Sequence, residues 1–310
     1  MPVADSGASD LRRRYPALGR FLKSKTAIVG LLVILILTFA ALFGPSLWKY
    51  SYFETLGREY IGSPTPPSWE HPAGTDYQGR DQFARVLIGA RISLAVGIMS
   101  CLLNIVIGVG VGVVAGWSGG RIDTFLMRSV DILYSVPLLL VVILLQVFVK
   151  PVLVGVLGDG VNVPLIISPD LVSIYIALGL TNWLMMARLA RSEVMSQVAR
   201  DYVLAARSVG VPPMTILLRH VLPNCLGPIA VAATLAIPEA IFIESFLAFV
   251  GLGVSAPAAS LGSLASDGLS GIRNYPWLLT TPAIAISVTM LAFNLFGDGL
   301  QDALDPKQGR

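Results

Sequence analysis

Charge, histidine, cysteine and lysine are all scarce in this chain. Only 13% of its 310 residues are charged, about half the roughly 25% of a soluble globular domain, so most of its surface is not built for water. The net charge of +3 is not the footprint of a nucleic-acid binder. Two cysteines, Cys101 and Cys225, lie in or beside apolar runs. They read as small hydrophobes and supply neither a disulfide framework nor a metal cluster. The lysines are Lys23, Lys25, Lys49, Lys150 and Lys307. None sits in the G-x-x-x-x-G-K-[ST] context that cradles phosphates, so ATP chemistry must come from another chain. No H-E-x-x-H is present, and the N-terminal region lacks a small-x-small cleavage site, so its apolar run reads as an uncleaved anchor.

What the chain has instead is apolar length. The apolar fraction is 55% and the mean hydropathy +0.74. About 20 residues at 1.5 Å rise cross the hydrocarbon. Six runs qualify: 27–44, 92–116, 130–149, 171–187, 226–250 and 281–296. The stretch 152–167 is itself fairly apolar, which leaves the third and fourth the least sharply bounded. The expected fold is an all-α membrane protein of about six transmembrane helices.

Lys and Arg in the flanks set the orientation. With the N-terminus inside, the inner segments hold Arg12, Arg13, Arg14, Arg20, Lys23 and Lys25. Later inner segments add Arg121, Arg128, Arg188, Arg191, Arg200, Arg207, Arg219, Lys307 and Arg310. The outer segments hold fewer, and the longest of them, after the first span, balances its basic residues with Glu54, Glu59, Glu70, Asp76 and Asp81. That stretch is rich in Pro and Gly and reads as an ordered loop. At its end Phe83, Val86, Leu87, Ala90 and Leu94 recur at helical spacing between Arg80, Arg85 and Arg91. The pattern predicts an amphipathic helix at the interface before the second span. In that span Gly108, Gly112 and Gly116 make one helix face without side chains. Such a face suits close packing, within the chain or against another subunit.

The inner loop after the fourth span is the most informative segment. One helix is expected over 191–209, with Val194, Val198, Tyr202, Ala205 and Val209 as its apolar or small stripe and Arg200, Asp201 and Arg207 off it. Gly210 suits the left-handed cap, and Pro212 and Pro213 stop continuation. Pro213 suits the first turn of a second helix over 214–221, and Pro223 punctuates entry to the fifth span. This helix–Gly–Pro–helix element is either an ordinary amphipathic surface loop or a piece shaped for a partner's groove.

The segment resembles the EAA loop of ABC importer permeases: E-A-A, three residues, Gly, about nine residues, then I/V-x-L-P. The match is Ala205-Ala206, Gly210 and Val221-Leu222-Pro223. The family's glutamate position holds Leu204 here, so a role resting on charge at that position is not carried over. Residues 71–94, 249–268, 274–277 and 297–306 are also similar, in order, to the C-type permease of oligopeptide and dipeptide importers, with nickel and glutathione importers close by. The resemblance implies a type I ABC importer transmembrane fold. It divides the chain into an N-terminal part (1–90), a permease core (91–302) and a short cytoplasmic tail (303–310). It implies a multi-pass protein of the bacterial inner membrane with both termini cytoplasmic. Implied partners are a second, B-type permease, two cytosolic ATPases that bind ATP and Mg, an extracytoplasmic solute-binding protein and a peptide substrate. It also implies that Asp201, Tyr202, Ala205, Ala206, Gly210, Pro213 and Pro223 form the loop that couples to the ATPases. No cofactor, metal or catalytic residue is expected on this chain itself.

Two carboxylates fall inside a span, where charge is expensive. Counted from Leu226, Glu239 lies about 20 Å in and Glu244 about 27 Å in. They are about 140° apart around the helix, so they do not form one site on one face. Structural pairing or interface solvation is one reading; lining the pathway is the other. Gly268-Leu269-Ser270-Gly271 resembles the serine motif of rhomboid intramembrane proteases. That chemistry needs a histidine base in reach. His71 and His220 lie in loops, and His220 is on the wrong side. A secondary transporter would show internal repeats, and none is convincing here.

Overall fold

The computed structural model describes residues 16–157 and 167–304. The basic residues Arg12, Arg13, Arg14, Lys307 and Arg310, most of the tail and part of the apolar stretch 152–167 lie outside these. The described residues form helices and connecting loops without a named strand; two isolated bridges, Ile61–Gln78 and Thr75–Asp81, pin the long loop after the first span. Six helical segments are long and apolar enough to cross a membrane: Lys25–Leu47, Gln82–Ser118, Leu139–Val156, Pro169–Val198, Pro213–Leu252 and Trp277–Leu304. All six expected spans are thus present.

Twelve α-helices make up these segments and their connections. A short α1 (Pro16–Phe21) leads into α2 (Lys25–Leu47). The second span is α3 (Gln82–Leu103), a wide-turn segment Asn104–Val109 and α4 (Gly110–Ser118). Next come α5 (Gly120–Tyr134), α6 (Leu138–Leu157) and α7 (Pro169–Val198). A small helix α8 (Asp201–Ser208) precedes α9 (Pro213–Ile216), a second wide turn (Leu217–Val221) and α10 (Leu222–Leu247). A third wide turn, Ala248–Leu252, follows α10. Helices α11 (Leu261–Leu269) and α12 (Trp277–Leu304) complete the chain.

Apolar side chains fill the space between spans two to five. Ile92, Leu171, Ile174, Leu178 and Leu247 sit in one buried cluster. A second cluster joins Val194, Val203, Ile216, Val221 and Cys225 beside the small helices. By contrast Leu35, Ile36, Phe39 and Leu42 of α2 stand exposed, the surface that hydrocarbon covers. The glycine face of span two packs within the chain. A Cβ at Gly108 would stand 2.7 Å from Met186 Cβ, and one at Gly116 2.8 Å from the Arg191 carbonyl. Both neighbours lie on α7, so the missing side chains are what let α4 and α7 approach so closely.

Four local expectations need correction. The amphipathic segment before span two is not a separate interfacial helix; Gln82–Ser118 runs as one 37-residue rod. Arg80 and Arg85 are buried rather than solvated, and half-buried Arg91 reaches into the neighbouring span. The third span starts later than expected. Residues up to Tyr134 belong to α5, whose Asp123 and Asp131 pair with Arg191 and Arg188 of α7. Pro137 then stands between α5 and α6, and proline disfavours helix in the residue before it. The expected helix over 191–209 is split, because α7 continues to Val198, tied by that same Arg191 pair, before the chain turns at Ala199–Arg200. Its stripe does not form one face: Val194 is fully buried whereas Val209 is 80% exposed. Finally, Pro223 stands at the start of α10 as expected, but it does not separate the second small helix from the fifth span. A proline in a helix removes one N–H and clashes with the carbonyl four residues back, and the wide turn at Leu217–Val221 opens the helix where that clash would fall.

Two prolines within other spans, Pro45 and Pro282, are served by polar side chains of α3. Pro45 has no N–H to offer the Ala41 carbonyl. Arg91 supplies the missing donor, with Nε 2.8 Å from Ala41 O, and its Nη2 also donates to Leu42 O at 2.6 Å. Likewise Gln82 Nε2 donates to Leu278 O at 3.4 Å, the carbonyl that Pro282 leaves free. Replacing Arg91 with Leu is therefore expected to cost about 2–3 kcal/mol, the value of a charge-assisted bond to an otherwise unpaired carbonyl. Thermal unfolding in detergent, with Arg91→Lys as a partial rescue, measures it.

Candidate functional site

The element between spans four and five is built by a helix cap. In α8 the Gly210 N–H donates to Arg207 O at 3.0 Å and the Val211 N–H to Ala206 O at 3.1 Å. This pair of bonds closes the helix around a left-handed residue. Gly210 has φ +78°, with open space where a Cβ would point. Pro212 and Pro213 follow, and Pro213 opens α9 at its first position, where a missing N–H is harmless.

Asp201 lies exposed in the first turn of α8, where a carboxylate suits the helix dipole. The Tyr202 hydroxyl donates to Gln197 Oε1 at 2.9 Å. Ala205 is exposed and Ala206 half-buried against the second apolar cluster. Val203 anchors the helix from beneath with no exposed area. Leu204, which replaces the glutamate of the resemblance, is 52% exposed. Val209, Met214 and Leu218 of the same element also stand exposed, so apolar side chains share its outer surface with Asp201 and Arg207. Pro223 lies exposed in the first turn of α10.

The two span carboxylates have opposite environments. Glu239 is exposed on the span surface. Glu244 is fully buried, accepts from Ser93 Oγ at 2.9 Å and has Ser245 Oγ at 3.5 Å. The structure does not bring the two together. Ser270 follows the end of α11 and donates to Asp267 O at 3.0 Å. The other element of the protease reading, His71, is buried against Asp81 at 2.7 Å.

Two features of this region escaped the sequence reading. Arg207 stands over the Trp117 ring at 5.7 Å, which joins α8 to the end of span two. The ties from α5 to α7 hold a whole amphipathic helix beside this end of the bundle: Arg191 grips both oxygens of Asp123, and Arg188 Nη2 lies 2.6 Å from Asp131 Oδ1. The spacing of Asp123 and Asp131 on one helix, with Arg188 and Arg191 on another, was the available signal.

The Arg191 hydrogen bonds hold the Asp123 carboxyl below its ordinary range. A depressed carboxylate pKa contributes stability above the unfolded value, about 3.9, and that stability is lost as pH falls through the lower folded value. Amide exchange over 120–134 is therefore expected to be slow at pH 7 and to rise below about pH 4, beyond the intrinsic change. Asp123→Asn is expected to remove that pH dependence and leave exchange fast throughout.

Comparison with known proteins agrees with this architecture. Residues 108–310 match the family described as binding-protein-dependent transport system inner membrane component. Residues 16–67 match the N-terminal TM domain of oligopeptide transport permease C. The chain is 43% identical over 291 residues to the oligopeptide transport system permease protein OppC of Bacillus subtilis, covering 94% of this chain and 88% of the relative. It is 45% identical over 293 residues to the dipeptide transport system permease protein DppC of the same organism, covering 94% and 85%. A solved inward-facing MetNI methionine ABC transporter contains a similar chain, with TM-score 0.56 and 20% identity over 71% of this chain and 96% of that one. That likeness concerns the fold.

Proposed function

Because this chain belongs to the family of binding-protein-dependent transport system inner membrane components, we propose that it is the C-type permease subunit of an ATP-driven importer of oligopeptides or dipeptides. The observation that carries the reading is the 43–45% identity to oligopeptide and dipeptide permeases over 94% of the chain. In this reading it forms half of a pore with a B-type permease in the bacterial inner membrane, with both termini cytoplasmic. Two cytosolic ATPases bind ATP and Mg, and an extracytoplasmic binding protein delivers the peptide. The chain itself binds no nucleotide, cofactor or metal, and acts on no nucleic acid.

The element from Asp201 to Pro213 is the coupling piece. Its construction suits the task. Val203 shares a packed cluster with Val194 of span four and Val221 of span five. Packed interiors transmit displacement rather than absorb it. A push on the exposed face of α8 therefore moves both spans. Span five carries that motion through helical backbone that runs from Pro213 through the wide turn Leu217–Val221 to Leu247, and the pore between the two permeases changes its accessible side. Glu239 and Glu244 divide in this scheme. Glu239, exposed on a span, is the one placed to face the pathway or the partner permease, and Glu244 holds spans two and five together through Ser93.

Uptake of a labelled peptide into cells lacking other peptide importers tests the reading. Uptake should require this chain, the second permease and both ATPases, and should stop when ATP is depleted. Uptake that persists without the ATPases on an ion gradient would overturn it.

A further inference from the structure

At the end of the bundle opposite α8, the loop before span two and the 264–278 region enclose a cavity of about 410 Å³. That volume lies within the range of small-ligand pockets. One wall carries two arginines and a carboxylate. The carboxylate, Asp76, is saturated. Its Oδ1 accepts from the Gln78 and Arg80 amides at 2.8 Å each, and its Oδ2 from Arg80 Nε and Arg85 Nη1 at 2.7 Å each. Two cations thus share one fully occupied anion.

Arg85 is left with unused capacity. Its side chain is 5% exposed, and its Nε has no hydrogen-bond partner among the described residues. Its Nη2 stands 3.6 Å from Asp267 Oδ2, beyond hydrogen-bond range. Nε and Nη2 form one edge of the guanidinium, the fork that grips a carboxylate with two parallel bonds. Asp267 forms a long ion pair with that edge, but its side chain is 61% exposed and leaves Nε without a hydrogen bond. Beside it Gln82, 2% exposed, keeps Oε1 unpartnered while its Nε2 is held by Leu278 O. Leu264 and Leu278 supply apolar wall. A donor fork for a carboxylate and a neighbouring acceptor for an N–H together match the last residue of a peptide: its α-carboxylate and the amide that precedes it.

We propose that this cavity captures the C-terminal carboxylate of a short peptide on the Nε/Nη2 edge of Arg85, displacing Asp267. The inference rests on the peptide reading above, which also makes this end extracytoplasmic. Asp267 then acts as a tethered competitor, which keeps the site from holding its peptide tightly.

The test is binding of a labelled tripeptide and of its C-terminal amide to the reconstituted transporter without soluble binding protein, with ATP-driven uptake read in the same vesicles. The free acid is expected to bind about tenfold tighter than the amide, the scale of one charge-assisted pair. Asp267→Asn should raise affinity for the acid several-fold and leave the amide unchanged. In Arg85→Lys, checked for assembly, the acid preference should shrink. Equal binding of acid and amide, or no response to Asp267→Asn, overturns the site even where peptide uptake is intact. If Asp267→Asn instead strengthens only the docking of a soluble protein, the cavity is a docking point and the peptide site falls. Absence of ATP-driven peptide uptake beside a normal acid preference would overturn the peptide reading and not the carboxylate site.

Discussion

Gly210→Pro is expected to reduce ATP-driven uptake to below about a tenth of wild type while the protein still inserts and spans the membrane. Proline holds φ near −65°, and Gly210 sits at φ +78°. The substitution also removes the N–H that donates to Arg207 O. The cap of α8 then cannot close, and the helix loses its angle to α9. The spans are held by other contacts, so the defect should lie in coupling rather than in folding. Gly210→Ala separates the two ingredients. It keeps the N–H and costs about 1–2 kcal/mol for a left-handed non-glycine residue, so partial uptake is expected. Uptake and ATPase stimulation measured together decide the matter: wild-type coupling in Gly210→Pro would exclude this loop from transmission. A bulky residue at Ala206, which is half-buried against the Val194–Val221 cluster, should likewise lift α8 away from the spans and uncouple transport.

Gly112→Leu should be more damaging to the fold itself. A Cβ at this position meets the Ala187 carbonyl and lies 2.7 Å from Ala190 Cβ and 2.9 Å from the Arg191 amide. Backbone cannot turn aside as a flexible side chain can, so α4 and α7 must separate. Overpacking typically costs about 1–3 kcal/mol, and a rigid backbone neighbour puts this case at or above the upper end. Separation would also pull Arg191 from Asp123 and free α5. Expected results are low yield of folded protein in detergent and a melting temperature well below wild type. Gly110→Ala is the matched control. It lies two residues away on the same helix with nothing within 4 Å, and replacing glycine by alanine favours helix by about 1 kcal/mol. Similar melting of the two variants would mean that the glycine face does not govern the approach of α4 to α7.

The spans could be read from the sequence because hydrocarbon imposes one strong rule, apolar length, that needs no knowledge of neighbours. The glycine face was readable for a related reason: three glycines four residues apart say that something comes close, though not what. The helix breaks were harder to read. Whether residues 130–134 join the third span depends on Asp123 and Asp131 finding Arg191 and Arg188 on another helix, and such pairing across helices leaves no local periodicity. Pro223 marks the entry to α10 as its local chemistry says, but the join to α9 was hidden. A strong local stop signal was overridden by a wide turn that made room for it. At the coupling element the turn chemistry of Gly210 and Pro213 was local and therefore plain. The partner of each flanking residue was not, because Val203 and Arg207 act through contacts with spans four, five and two. Arg80 and Arg85 looked like the polar face of a surface helix. They are buried because Asp76 folds back to meet both, and a loop's return path cannot be counted in residues.

Arg91 and Pro45 carry a consequence for how this chain tolerates change over generations. The proline creates the vacancy at Ala41 O that the arginine fills, so each residue sets the worth of the other. Losing Arg91 is harmful only while Pro45 is present. With an alanine at 45 the helix closes its own ladder, and the same loss becomes nearly silent. The two positions are coupled, so the order in which they are exchanged decides whether a lineage passes through a damaged intermediate.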